Sequence, residues 1–263
     1  MQQRPSLRLK PGEERRLRAG HLWVFSNEVD TASTPLRAFA PGEQAVLLDA
    51  RGKALGSVYV NPNSLICARL VSRDPQVALD RSTLTHRLQI AAALRERLFP
   101  EPWYRLIHGE ADGLPGLVID RFGETCVVQP NTAGMEHQVE AVAAALERVV
   151  GPRHILVRAD SPVREREGLE PWTGWLGGEG PEALEVREGG LAYEVPARDG
   201  QKTGWYFDQR ANRARLATYA AGQRVLDGYS YAGGFAVAAA AAGAQEVVAV
   251  ERSAAACDRI AAN

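Results

Sequence analysis

The sequence predicts a multidomain chain of mixed α/β and α+β class: a small N-terminal β-barrel, a central α+β domain, and the first part of an α/β domain built on parallel strands. Three observations carry this. Residues 4 to about 73 are short β-like runs separated by turn signals. Residues 74–198 combine two amphipathic helical patterns with hairpin signatures. Val225 to Glu251 reads as strand, Gly-containing loop, Ala-rich helix, strand, acid.

In the first stretch the runs are Leu7–Leu9, Trp23–Phe25, Ala45–Leu48, Gly56–Val60 and Ser64–Val71, punctuated by Pro11-Gly12 and Pro41-Gly42. Trp23 and Phe25 flank Val24, and their alternation assigns them to a core face rather than to base stacking. Asp74-Pro75 opens the central region, where Ser82 is the expected N-cap of a helix from Thr83 to Leu98. Leu84, Leu88, Ala91, Ala92 and Arg95 fall at helical spacing there, and Phe99-Pro100-Glu101-Pro102 ends the run. Trp103–Ile107, a rigid turn over His108–Gly116, Leu117–Asp120 and Cys126–Gln129 predict a second sheet; His108, Glu110 and Asp112 lie along that turn at spacings that read as turn chemistry, not metal ligation.

A second helix is expected over Gly134–Val150, with Val139, Val142, Ala143 and Leu146 on one stripe and Gly151-Pro152 as its stop. Ile155–Val157 is a strand, and the charged run Asp160–Glu170 reads as a solvated linker rather than an RNA-facing edge. Leu184–Val186 and Leu191–Val195 flank Glu188-Gly189-Gly190, a hairpin signature. A helix over Arg210–Tyr219 then leads to two strands expected to be buried, Val225–Asp227 and Val247–Val250, joined by a helix over Phe235–Ala242 that stops at Gly243. The expected domains are 1–73, 74–198 and 199–263.

Composition excludes several classes. With 45% apolar and 24% charged residues and a net charge of -1, the chain carries no global nucleic-acid signal, so any RNA contact must be local. One local basic stretch is Arg4, Arg8, Lys10, Arg15, Arg16 and Arg18, opposed only by Glu13 and Glu14. Cys67, Cys126 and Cys257 are far apart without C-x-x-C spacing, which argues against a disulfide framework or a zinc site. The first 18 residues hold no signal-peptide apolar core, and the longest apolar run, Phe235–Ala244, is too short for a bilayer. The expectation is a cytoplasmic protein with neither membrane nor metal partner.

The strand-tip arrangement points to a ligand. In an open α/β sheet the crevice lies beyond the carboxyl ends of the strands, so Asp227, the following loop and Glu251 converge on one space. An acid at the second tip suits two ribose hydroxyls. A dinucleotide pyrophosphate needs early glycines, but this loop has Tyr229 and Tyr231, and Asp227 repels phosphate while attracting a cation. S-adenosylmethionine presents an α-ammonium and a sulfonium beside its adenosine. The loop alone also fits an ordinary βαβ unit with a tight turn. A second segment, Asp199–Arg210, gathers Gln201, Lys202, Thr203, Asp208, Gln209 and Arg210 around two aromatic rings and could fold over a cofactor edge.

Together, Gly-Gln-Lys-Thr-Gly-x-Tyr-x-Asp-Gln-Arg, then Val-Leu-Asp-x-x-x-Tyr-x-Gly-Gly-Phe and a strand-terminal acid, resemble the PUA-containing class I methyltransferases that modify cytosine C5 in large-subunit ribosomal RNA. The resemblance extends to the Gly-His-x-Trp-Val-Phe start and to Asp112–Leu117. It implies a PUA-like RNA-binding barrel and an incomplete Rossmann-like class I methyltransferase domain. It further implies S-adenosyl-L-methionine surrounded by Lys202, Thr203, Tyr206, Asp227, Gly228, Ser230, Tyr231, Gly233, Gly234 and Glu251, with ribosomal RNA as partner. The family's Asp-Pro-Pro loop and late Cys nucleophile do not occur before Asn263, so the expectation is a chain truncated within the methyltransferase domain, with no catalytic residue of its own and no activity alone. Cys257 is expected to be a small buried residue. The rivals are a non-catalytic RNA-binding module and a nucleotide-dependent oxidoreductase.

Overall fold

The computed structural model describes residues 4–263; the first three residues of the predicted barrel lie outside the described part. The N-terminal unit contains β1 (Ser6–Arg8), α1 (Glu14–Arg18), β2 (Trp23–Val24), β3 (Glu43–Leu48), β4 (Ala54–Val60) and β5 (Ala68–Ser72). Its sheet runs β1-β3-β4-β5-β2, with β1 parallel to β3 and the other pairs antiparallel. Leu7, Leu9, Leu17, Val24, Leu47, Val58 and Val60 fill its centre. Here the expectation for Trp23 and Phe25 fails: on so short a strand Val24 takes the inward position, and both rings are only half-buried. The Trp23 indole N–H donates to Glu110 at 2.8 Å, and the Arg16 guanidinium lies 5.0 Å over the Phe25 ring.

The central unit contains α2 (Arg81–Leu98), β6 (Trp103–His108), β7 (Leu117–Phe122), β8 (Thr125–Pro130), α3 (Ala133–Glu136), α4 (Val139–Val149), β9 (His154–Ala159) and β10 (Trp172–Leu176). The sheet order is β10-β9-β8-β7-β6, antiparallel except for the β8–β9 pair, where α3 and α4 supply the crossover a parallel pair requires. Leu84 and Leu88 of α2 and Val142 and Leu146 of α4 bury against Leu106, Ile119 and Val128 of the sheet. The cap of α2 is Asp80, not Ser82: its carboxylate accepts from Thr83 N at 2.9 Å, two residues earlier than the apolar pattern signals. The single helix expected over Gly134–Val150 is two, interrupted at His137 and Gln138.

Within the charged run Asp160–Glu170, expected to be a solvated linker, Arg164 and Glu167 form a buried joint, while Asp160, Glu165, Arg166 and Glu170 are exposed. Glu167 is 2% exposed; it receives the Asn61 amide at 2.8 Å, Arg69 at 3.0 Å and the Ala133 N–H at 3.4 Å. Arg164, equally buried, donates to the Pro130 carbonyl at 2.6 Å and to Glu136 at 2.7 Å. Sequence periodicity missed this pair because Arg164 and Glu167 are each neutralised by a partner distant in the chain. Tyr59 completes the joint, its hydroxyl donating to the Pro115 carbonyl at 2.7 Å while its ring rests on Gly134, where a Cβ would come within 2.3 Å of it.

The C-terminal part begins with the hairpin of β11 (Ala183–Glu188) and β12 (Leu191–Pro196), then α5 (Arg210–Ala220), β13 (Arg224–Gly228), α6 (Gly234–Ala241), β14 (Glu246–Val250) and α7 (Ala254–Ala262). β13 and β14 are parallel, in a register that sets Asp227 beside Ala249 and Gly228 beside Val250. They are not the fully buried strands expected. Within the described residues α6 covers one face, and Leu226 (72%), Val248 and Val250 stand exposed on the other. One core cluster joins this part to the central sheet, packing Phe122, Val127 and Leu156 with Leu184, Val195, Trp205, Phe207 and Ala232. Among the described residues no helix is long and apolar enough to cross a membrane.

Candidate functional site

The parallel register carries Asp227 and Glu251 to the same end of the β13–β14 pair. Glu251 follows the last residue of β14, and three backbone N–H groups hold its carboxylate: Tyr231 at 2.9 Å on one oxygen, Arg252 at 2.7 Å and Ser253 at 3.0 Å on the other. These bonds hold its pKa below the usual carboxylate value. An ionised carboxylate has about four acceptor positions, so three such bonds leave capacity for a further hydroxyl donor. Asp227 turns into its own loop, accepting from the Ser230 hydroxyl and from Ala236 N at 3.1 Å, where it caps the start of α6.

Backbone strain marks the same places. Among the described residues the non-glycine positions with positive φ are Lys202 (52°), Tyr229 (59°) and Tyr231 (52°), all within the two sequence motifs. Each left-handed L-residue costs about 1–2 kcal/mol, and such strain gathers at ligand sites. Gly233 supplies the next left-handed turn before α6, and the Gly234 Cα faces Trp205, with 3.0 Å left for a Cβ. Gly228 lies in open space.

Tyr231 joins the two motifs. Its hydroxyl accepts from Gln201 N at 3.0 Å and donates to the Gly204 carbonyl at 3.0 Å, and burial pushes its pKa up to about 12. Gly200 must be a glycine here, since a Cβ would meet Gly204 and the Tyr231 hydroxyl at 2.9 Å. Tyr206 donates to the Gln201 side chain at 2.7 Å and meets the Tyr231 ring edge-on at 5.7 Å. The Lys202 ammonium lies 4.4 Å over the Tyr206 ring and 3.5 Å from Asp208. Thr203 faces away from this space: it is fully buried and donates to Asp120, which Arg105 grips at 2.8 and 2.9 Å.

Two clefts flank Tyr231. One of about 320 Å³ is lined by Pro196, Gln201, Tyr231, Glu251, Ser253 and Ala256. A smaller one of about 170 Å³ is lined by Tyr206, Gln209, Tyr229, Ser230, Tyr231 and Gly234. Tyr229, at 97% exposure, stands over the second.

Sequence reasoning passed over the group that anchors this assembly. Glu188, read as a hairpin residue, is buried and accepts from Arg213 on both oxygens, from Arg210 at 3.2 Å and from the Trp205 indole at 3.3 Å. Burial acts to raise its pKa, but the Arg213 hydrogen bond and charge prevail and lower it. The available signal was an acid on the inward parity of its strand, where an apolar residue is expected.

The cysteines divide sharply. Cys67 and Cys126 are buried, and desolvation pushes both thiols up to about 12. Cys257, expected to be buried, is exposed on α7, its thiol 3.5 Å from the Glu251 carbonyl. On the His108–Gly116 turn, Asp112 accepts from Arg95 at 2.8 and 2.7 Å and from His108 N at 2.7 Å.

A family model described as S-adenosylmethionine-dependent methyltransferase matches residues 126–263, over half of the chain. This chain belongs to the S-adenosylmethionine-dependent methyltransferases. A PUA-like domain model matches residues 7–73. The methyltransferase chain is 41% identical over 249 residues to ribosomal RNA large subunit methyltransferase I of Cronobacter sakazakii, covering 93% of this chain and 62% of that protein. It is also 41% identical over 254 residues to the protein of that name from Erwinia tasmaniensis, covering 95% and 63%. It thus spans less than two thirds of the length of these curated relatives. A Streptococcus mutans structure assigned as a SAM-dependent methyltransferase superposes with a TM-score of 0.81 at 23% identity, covering 98% of this chain and 66% of that one. A second structure, of a methyltransferase complexed with SAH, gives 0.82 at 23% identity, covering 98% and 65%. At that identity the likeness is one of fold: a PUA-like domain with a Rossmann-like methyltransferase domain.

Proposed function

We propose that this methyltransferase chain supplies the cofactor crevice and the RNA-holding domains of an enzyme that methylates cytosine C5 in large-subunit ribosomal RNA. The observation carrying the cofactor part is the convergence of the two motifs on Tyr231 and Glu251, with three strained non-glycine residues confined to them. The relatives' names and the PUA-like match support the RNA part.

In this reading Glu251, whose pKa the backbone N–H groups lower, takes a ribose hydroxyl at its remaining acceptor position. Tyr231, Ser230 and Gly228 form the wall next to it, while Gly233 and Gly234 let α6 start close behind. Asp227 sets the loop through Ser230 and Ala236. Lys202 and Tyr206 form the opposite edge, and Thr203 holds that edge down through Asp120. The bound cofactor supplies an electrophilic methyl group. C5 methylation also needs a thiolate to add to cytosine C6 and a base to take the C5 proton. With thiols near 12, Cys67 and Cys126 are unsuited to that role, and we assign it to neither. The proposed domains are 1–73, 74–198 and 199–263, and the proposed location is the cytoplasm.

Calorimetric titration with S-adenosylhomocysteine and with NAD tests the cofactor reading. Binding of the former alone supports it; binding of NAD alone favours an oxidoreductase; RNA binding with neither favours an RNA-binding module. Nucleoside analysis of labelled ribosomal RNA from a methyl-transfer assay with a full-length relative tests the target, and a product other than 5-methylcytidine overturns that part.

A further inference from the structure

Outside the cofactor crevice, a second cleft of about 330 Å³ lies between α2, β6 and the turn that leads into α5. Its walls are Leu94, Leu98, Phe99, Tyr104 and Phe207. Two of these are unusual for a helix surface: Leu98 is 62% exposed and Leu94 is about half exposed, one turn apart on α2. The floor is aromatic and ordered, with Phe99 stacked on Tyr104 at 5.5 Å between ring centres and an interplanar angle of 25°.

The rim is polar. Arg95 is paired with Asp112 and Arg105 with Asp120, while Arg210 shares Glu188 with Arg213. Arg95 and Arg105 are thus held by carboxylates of their own, and an apolar planar group enters without breaking either ion pair. The Arg210 guanidinium lies 4.6 Å over the Phe99 ring, which is thus already covered by Arg210 and Tyr104, and the flat guanidinium itself lines the cleft. His108 lines the cleft, and burial, with Arg105 and Arg95 nearby, holds its pKa below the ordinary value. A neutral imidazole offers one donor and one acceptor. Asp208, on the other side, is an acceptor for an exocyclic amino group.

The cleft shares a turn with the proposed cofactor edge. Tyr206 and Gln209 line the crevice beside Tyr231, while Phe207, Asp208 and Arg210, from the same turn, line this one. Lys202, on the cofactor side, is 3.5 Å from Asp208.

We propose that this cleft is a nucleobase site, holding an unstacked base of the RNA substrate next to the one presented to the cofactor. The inference rests on the reading of the substrate as RNA. The base stacks over the Arg210 guanidinium against Leu94 and Leu98, and its edge is read by His108 and Asp208. Unpaired rather than duplexed RNA is therefore the preferred ligand at this point.

The test uses the chain with short single-stranded RNA containing one 2-aminopurine, whose fluorescence reports stacking. Leu98→Glu and Leu94→Glu change exposed side chains and leave the core intact. Ile90→Glu introduces the same charge one turn further along α2, at an exposed position outside the cleft. We expect the fluorescence to change on binding to the unmodified chain, and RNA affinity to fall about tenfold in the two cleft variants, the scale of one lost base stack. Ile90→Glu should stay within about twofold, and S-adenosylhomocysteine binding should be unchanged in all three. Equal effects from Ile90→Glu and Leu98→Glu, or unchanged RNA affinity in the cleft variants, overturn the nucleobase site but leave the RNA reading standing. Failure of the unmodified chain to bind RNA removes both. If Leu98→Glu alters only the sedimentation of the chain, the cleft is a protein contact and the proposal falls.

Discussion

Replacing Tyr231 by Phe removes one oxygen while leaving the ring, its packing and its left-handed backbone in place. What is lost is the hydroxyl that accepts from Gln201 N and donates to the Gly204 carbonyl, both at 3.0 Å, and so ties the Asp199–Arg210 segment to the strand-tip loop. A neutral hydrogen bond contributes about 0.5–1.5 kcal/mol net, and two give about 1–3 kcal/mol. The side chain is half-buried, so water reaches part of the vacated site and the lower half of that range applies, about 1–2 kcal/mol. That energy holds the closed arrangement of two strained loops, so the cost should appear in ligand affinity as well as in local stability. S-adenosylhomocysteine binding should weaken by about 5–30-fold. Calorimetry gives the affinity, and amide hydrogen exchange over residues 199–206 gives the local stability. Unchanged affinity together with unchanged exchange would refute the view that Tyr231 couples the motifs.

Glu188→Gln should cost about 3–5 kcal/mol, because it strands the buried Arg213 guanidinium; thermal unfolding of the C-terminal part measures this. The Glu188 carboxyl has a folded pKa below its unfolded value, so its contribution is fully present above about pH 4.3 and is lost as pH falls through the lowered value. The variant's deficit should therefore shrink in acid, and a deficit independent of pH would contradict the assignment. Glu251→Ala should weaken S-adenosylhomocysteine binding about tenfold through lost charge-assisted hydrogen bonds, checked by calorimetry. A thiol reagent at neutral pH should label Cys257 and spare Cys67 and Cys126 in the folded chain; mass spectrometry of the digested product decides it.

The parts legible in the sequence were those with local causes. The Val/Ala runs on either side of an Ala-rich helix dictate a parallel pair, and the handedness of the crossover then puts Asp227 and Glu251 at one end. The turn at Gly189-Gly190 needs two positive φ values, and glycine supplies both. What was illegible depends on partners remote in sequence. Glu167 reads as solvated until Asn61 and Arg69, about a hundred residues earlier, are brought to it. Thr203 was expected at the cofactor, but its hydroxyl is claimed by Asp120, a pairing that no local pattern encodes. The small residues around Cys257 point to the interior, yet α7 presents it to solvent.

We propose that S-adenosylmethionine binds where residues 199–206 meet the Tyr231 loop and the tip of β14. Amide hydrogen exchange across the whole chain, with and without saturating S-adenosylhomocysteine, tests it most directly. Slowed exchange concentrated in residues 199–206, 228–236 and 251–256 is the predicted result. Ligand binding with protection confined to other segments, such as the barrel or α2, would contradict it.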